Sequence, residues 1–243
     1  MCGRMTLTRS AEEIAQVFEL ASEPAALAEP DGLPLRPRYN IAPSQPVLTV
    51  VRSEGGVRGF AWKTWGLLPG WAPDPSIGSK LFNARGETVD AKPSFRSAFK
   101  RSRCLVVADG FYEWSARSRG HRPYWFHPRE GGLLAFAGLH EHSSVGQGPA
   151  IDSCTVITTE ANEDLAGVHA RMPVVLSKVV WKDWLDPDSE LDDLKRLLVP
   201  APAGTLLALA VSRRVNEPRH DDPHCLDPAP EEGASGSFRL DGG

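Results

Sequence analysis

The chain has 243 residues, with 27 Lys+Arg against 31 Asp+Glu, a formal net charge of −4, 41% apolar residues and 24% charged ones. At ~100–200 residues per domain it fits one large domain or two small ones, and the composition excludes collagen-like, largely disordered and coiled-coil chains. No apolar run approaches the ~20 residues of a membrane span, and the opening Met1-Cys2-Gly3-Arg4 segment lacks the hydrophobic stretch of a secretion signal, so a cytoplasmic protein is expected.

Ser10 with Glu13 forms a capping box, and Ile14, Val17 and Phe18 recur at helical spacing, which predicts a helix running to about Leu20. Six prolines within residues 21–46 remove amide donors and predict an ordered loop. Short β-rich runs follow at 47–52, 58–65, 103–108, 124–127, 133–137, 154–159, 173–176 and 206–211, with Gly, Pro and Ser boundaries that fit a meandering sheet or barrel. Leu191, Leu194, Leu197 and Leu198 mark a late helix closed by Pro200. With no repeat and no internal linker, the expected fold is α+β: a single domain over residues 2–225, with a mixed, largely antiparallel, barrel-like sheet and flanking helices. The Asp-Pro-Ala-Pro-Glu-Glu-Gly-Ala-Ser-Gly-Ser stretch is too polar to offset ordering entropy, so residues 226–243 are expected to form a flexible tail.

Cys2, Cys104, Cys154 and Cys225 make no C-x-x-C or C-x-x-H pairing, which argues against structural zinc and a disulfide framework; no metal or cofactor is expected. His220, His224 and Cys225 stand together in a stretch that reads as a surface loop more readily than as a metal site. Charge is unevenly spread: residues 1–120 carry 16 basic and 12 acidic side chains, residues 121–243 carry 11 and 19. The segment 80–119 holds nine basic residues against four acidic ones, enough for a local basic face toward a polyanion or simply a solvated surface.

Cys2 carries the most chemistry. Removal of Met1 would place a free α-amine and a thiol on adjacent carbons, an aminothiol able to capture an aldehyde as an imine and close to a thiazolidine. An α-amine of pKa ~7.7–8.0 is roughly a tenth to a sixth neutral at pH 7, against about 0.04% for a lysine. A neighbouring cation such as Arg4 would raise the thiolate fraction. Asn83-Ala-Arg-Gly-Glu-Thr joins an amide, a guanidinium and a Gly turn. Glu113 stands between aromatics after an apolar strand, where desolvation suits a carboxyl to proton transfer, although a surface strand residue in an ion pair is the alternative. His169 and Arg171 supply an imidazole and a phosphate-binding fork, or else structural contacts. Trp71 follows Pro-Gly and is either core or an exposed stacking platform.

The ordered motifs Met-Cys-Gly-Arg, Pro37-Arg-Tyr-Asn-Ile-Ala-Pro, Trp65-Gly-Leu-Leu-Pro-Gly-Trp, Phe82-Asn-Ala-Arg-Gly-Glu-Thr, Ala108-Asp-Gly-Phe-Tyr-Glu-Trp, Thr158-Thr-Glu-Ala-Asn and His169-Ala-Arg-Met-Pro together resemble the SRAP family, the SOS-response-associated peptidases understood as abasic-site processing proteins. The resemblance spans about residues 2–225. It implies covalent capture of abasic sites in single-stranded DNA by Cys2 during the DNA damage response. Asn83 would position the amine, Glu113 would move protons and His169 would assist imine formation. It further implies that Arg4, Arg85, Arg171 and Thr158 hold DNA phosphates, and that Asn40, Pro43 and Trp71 grip or wedge the strand. Met1 removal by the chain itself and lyase-like imine chemistry follow from the same resemblance. The expected partner is single-stranded DNA, bound by a monomer without membrane contact, at the nucleoid if the source is bacterial. Two rivals are a thiol-dependent peptidase built on Cys2, His169 and Glu113 or Asn83, and a non-covalent single-strand binder.

Overall fold

The computed structural model describes residues 2–20, 27–53, 55–115, 121–144 and 148–230. Two sheets organise it. Strands β3 (Pro46–Arg52), β4 (Arg58–Trp65), β6 (Arg103–Ala108), β9 (Leu134–Ser143) and β10 (Ile151–Glu160) follow the order β10-β4-β3-β6-β9, and a further β9–β10 pairing closes the ring. Within it the β4–β10 pairing is parallel and the others are antiparallel. Closure leaves these strands without an open edge. Strands β5 (Asn83–Arg85) and β11 (Arg171–Pro173) add to β10 near its end.

The second sheet has the order β12-β8-β7-β1-β2, formed by β1 (Met5–Leu7), β2 (Arg38–Ile41), β7 (Gly110–Ser115), β8 (Arg122–Pro128) and β12 (Leu206–Ala210). Phe111 of β7 stacks on Phe126 of β8 and meets Phe136 of β9 edge-on, which joins the two sheets through one apolar core. Helix α1 (Ala11–Phe18) begins with the expected reciprocal Ser10–Glu13 capping box and buries Ile14 and Phe18, the latter stacked on Trp181 at 4.5 Å. The late helix is α4 (Leu191–Arg196).

The mixed α+β, barrel-like expectation agrees with this architecture. The proline-rich loop departs from it, because β2 lies inside residues 21–46; residues 21–26 lie outside the described chain. Strands β1, β5 and β7 and helices α2 (Arg96–Arg101) and α3 (Trp181–Leu185) are further elements that the sequence patterns do not predict. Ala229 donates its backbone N–H to Ala210, so the first residues past Cys225 lie against β12, while residues 231–243 lie outside the described residues. Among the described residues no helix is long and apolar enough to cross a membrane.

Candidate active site

Strand β1 pairs antiparallel with β7 through Met5↔Phe111 and Thr6↔Gly110, and the Tyr112 N–H donates to the Arg4 carbonyl at 2.9 Å. Continued toward the start of the chain, that register draws Cys2 and Gly3 alongside Glu113. Asp109, in the turn between β6 and β7, anchors β1: its carboxylate accepts from Thr6 Oγ1 at 2.5 Å and from the Thr8 N–H at 2.7 Å. Gly110 is required there, since a Cβ would stand 2.1 Å from Trp125 Nε1.

Cys2 is 0% exposed and Glu113 only 3%. From the other sheet, β5 runs parallel to β10 with Asn83 opposite Val156, and Asn83 Nδ2 donates to the Cys2 carbonyl at 2.6 Å. Asn83 Oδ1 is buried and accepts no hydrogen bond from the described residues. A seam between the two sheets thus holds the second residue of the chain by its carbonyl and leaves an amide oxygen available beside it.

Burial pushes the Cys2 thiol well above its ordinary value and the Glu113 carboxylate adds to the rise, while the Arg4 backbone N–H works against it. The Arg4 guanidinium is not among the groups that shift the thiol. That guanidinium donates to Asn40 Oδ1 at 2.6 Å and to the Val215 carbonyl at 2.5 Å, and lies 5.5 Å from the centre of the Trp114 ring. Burial also raises the Glu113 carboxyl, opposed by the nearby His169. His169 Nδ1 lies 3.0 Å from the Arg171 N–H and 3.1 Å from the Arg171 carbonyl, so the backbone of Arg171 fixes the orientation of the ring.

Cys2, Asn83, Glu113 and His169 therefore come together from four separate segments. Thr158 of β10 lies between β5 and β11, and its carbonyl and hydroxyl accept from Arg171 Nη2 at 2.7 and 3.3 Å. Glu87 engages the same guanidinium with both oxygens. Arg85 is exposed on β5. Trp71 is 56% exposed, with its indole N–H directed to the Pro93 carbonyl, and Pro43 is half-buried in the turn before β3. Asn40 is buried: its amide donates to the carbonyls of Val215, Glu217 and His220, so it ties Arg4 and β2 to the C-terminal segment.

Residues 1–218 match the family model described as SOS response associated peptidase (SRAP). The chain belongs to the SRAP family. It is 39% identical over 229 residues to the abasic site processing protein YoaM of Bacillus subtilis, covering 93% of this chain and 98% of that one. It is 31% identical over 262 residues to the abasic site processing protein HMCES of Gallus gallus, covering 94% of this chain and 78% of the relative. A crystal structure of a protein from Bacteroides thetaiotaomicron shares the fold, with a TM-score of 0.82 at 22% identity over 94% of this chain and all of that one.

Two structurally important residues of this SRAP chain are missed by sequence patterns alone. Glu87 sits inside the Asn83–Thr88 motif, and an acid two places after Arg85 is the available signal. Asp109 opens the Asp-Gly-Phe-Tyr-Glu-Trp motif, but its partners Thr6 and Thr8 are distant in sequence. Among the described residues no group of three or more His, Cys, Asp or Glu is arranged to hold a metal ion. In the His220–Cys225 stretch, Cys225 Sγ donates to the His220 carbonyl and His224 pairs with Asp227.

Proposed function

We propose that this SRAP protein processes abasic sites in single-stranded DNA by forming a covalent thiazolidine through Cys2, once Met1 has been removed. The observation that carries the proposal is the seam itself: Asn83 holds the Cys2 carbonyl at 2.6 Å while the buried Glu113 lies against the same residue. The names of the relatives, abasic site processing proteins, support the substrate class.

A raised thiol sets the order of events. Burial disfavours the thiolate, so the neutral α-amine attacks first, adding its nitrogen to C1′ of the ring-opened sugar. The carbinolamine then loses water to leave an imine, with Glu113 supplying the proton that lets hydroxide depart and His169 assisting the transfers. The Cys2 S–H next adds across the C=N bond, sulfur to C1′ and hydrogen to nitrogen. The balance is one aldehyde plus one aminothiol giving a thiazolidine and one water. Asn83 Oδ1 provides an acceptor that orients the amine. Closure consumes the imine, the species from which strand scission would proceed, and so shields the strand.

Arg85, Arg171 and Thr158 would hold phosphates beside the lesion, and Trp71 would meet a base or wedge the strand at its exposed ring. Single strands are favoured because the sugar must turn into a buried seam, which a stacked duplex resists. A thiol whose thiolate is disfavoured by burial is a poor peptidase nucleophile, whereas in capture the amine attacks first and the thiol only closes the ring, so capture is preferred over general peptide cleavage. The deciding experiment is intact mass spectrometry of the purified protein incubated with an abasic single-stranded oligonucleotide. The expected result is a chain lacking Met1 and an adduct equal to protein plus oligonucleotide minus one water, stable to SDS and boiling. An adduct formed equally by a chain that retains Met1 would overturn the mechanism.

A further inference from the structure

The ring of strands has a second end. Pro46↔Thr64 lies near the Trp65 and β5 end, where Asn83 holds Cys2, whereas Arg52↔Arg58 closes the β3–β4 hairpin at the opposite end. Two adjoining cavities of about 320 and 290 Å³ open there and share Arg52, Gly56 and Leu185. Arg58, Lys178 and Lys182 line the first; Arg101, Arg103 and His140 line the second.

The charge balance is positive in a chain that is acidic as a whole. Arg58 and Lys182 form no ion pair with any described residue, and the two paired cations are Lys178, matched to Glu19 at 2.7 Å across an exposed contact, and Arg52, matched to Asp186 at 2.8 Å across a half-buried one. The exposed Lys178–Glu19 pair is weak and exchanges readily for another anion. Beneath them Arg103 is buried, with its guanidinium spent on the carbonyls of Phe99, Lys100, Trp184 and Asp186, which adds a fixed positive charge to the floor. Asp188 and the neighbouring Glu141 offset part of this field.

Apolar surface accompanies the cations. Val57, between Gly56 and Arg58, is 70% exposed, and Val179, beside Lys178, is 84% exposed. Among the described residues the one large aromatic that is exposed is Trp71, which belongs to a different loop. Single-strand binding surfaces stack bases on aromatic rings, whereas aliphatic side chains between cations suit carboxylates interspersed with apolar groups. We propose that this end of the barrel docks an acidic peptide segment bearing apolar side chains, supplied by a partner protein, while the Cys2 seam at the other end stays accessible. The inference is independent of the crosslinking chemistry.

The test uses a fluorescein-labelled peptide of consecutive aspartates followed by leucine and phenylalanine, titrated with the full-length protein by fluorescence anisotropy. Saturable binding that weakens with salt is expected, together with about a tenfold or greater loss in the Arg58→Glu/Lys182→Glu variant and an intermediate loss in Arg58→Gln/Lys182→Gln. The yield of adduct with abasic oligonucleotide is expected to stay unchanged in both variants. Replacing leucine and phenylalanine of the probe by serine should also weaken binding. Equal affinity in wild type and both variants would overturn the site. Displacement of the peptide by an intact oligonucleotide, abolished by the same substitutions, would overturn the choice of a peptide and make the groove a nucleic-acid surface.

Discussion

Glu87 grips the Arg171 guanidinium with both carboxylate oxygens, Oε2 to Nη2 at 3.0 Å, while the same Nη2 donates to the Thr158 carbonyl at 2.7 Å. A fork so occupied presents little to a phosphate, because the carboxylate fills the geometry the phosphate needs. If Arg171 holds a phosphate as proposed, DNA would have to displace Glu87 or share the guanidinium with it. Glu87→Gln should raise the affinity for an undamaged single-stranded oligonucleotide by about three- to tenfold and steepen its salt dependence by about one phosphate contact. Anisotropy titrations at several salt concentrations check this, and an unchanged slope would remove Arg171 from the phosphate-binding set.

Asn83→Ala removes the donor to the Cys2 carbonyl. We expect crosslinking to abasic DNA to slow by about ten- to a hundredfold, because the reactive end loses its position. The global cost should be modest, about 0.5–1.5 kcal/mol for one hydrogen bond. Single-turnover gel kinetics set beside a chemical denaturation curve separate the two effects.

Glu113 gives a pH signature. Burial raises its folded-state pKa above the ordinary value of 4.5, so folding favours the protonated form. That stabilising contribution is complete below about pH 4.5 and is lost as pH rises through the raised folded value. Glu113→Gln, neutral at every pH, should melt above the parent at neutral and alkaline pH, with the gap closing in acid. Its crosslinking rate should fall by about 10²–10⁴. A gap independent of pH would mean that the carboxyl is not desolvated as described.

Cys2→Ser keeps the amine and exchanges sulfur for oxygen. An imine trapped by borohydride is expected, but the boil-resistant adduct should largely disappear, since an oxazolidine hydrolyses more readily than a thiazolidine. Gel analysis with and without reductant distinguishes the species. A serine adduct as durable as the parent's would eliminate the ring-closing step.

Asp109→Ala should cost about 2–4 kcal/mol, because the buried hydroxyl of Thr6 and the Thr8 N–H lose their acceptor together. Crosslinking should fall as well, through looser placement of β1. Urea denaturation reads the first effect, and a loss below about 1 kcal/mol would show that β1 is held chiefly by its pairing with β7.

Features that act over a few residues are legible in the amino-acid order itself. The Ser10–Glu13 capping box and the apolar runs of β6 and β10 carry their own local signals. Strands β1 and β5 have three residues each and are too short for a period to appear, and β7 is buried along most of its length, so no alternation marks it. Cys2, Asn83, Glu113 and His169 are recognisable as chemistry, but their meeting depends on pairings between distant segments. The Arg4–Asn40–Val215 knot marks the limit: it bridges separations of 36 and 211 residues, which no local pattern reveals.

Chain ends usually fray, yet β1 is an inner strand with β7 on one side and β2 on the other, and Cys2 continues directly from it into a sealed position. Any purification handle fused upstream would have to thread out through that seal, prising the seam apart or leaving the nitrogen capped. Under the aminothiol chemistry proposed above, handles placed downstream, beyond residue 230, leave that end free, and an upstream-tagged preparation is expected to be inactive.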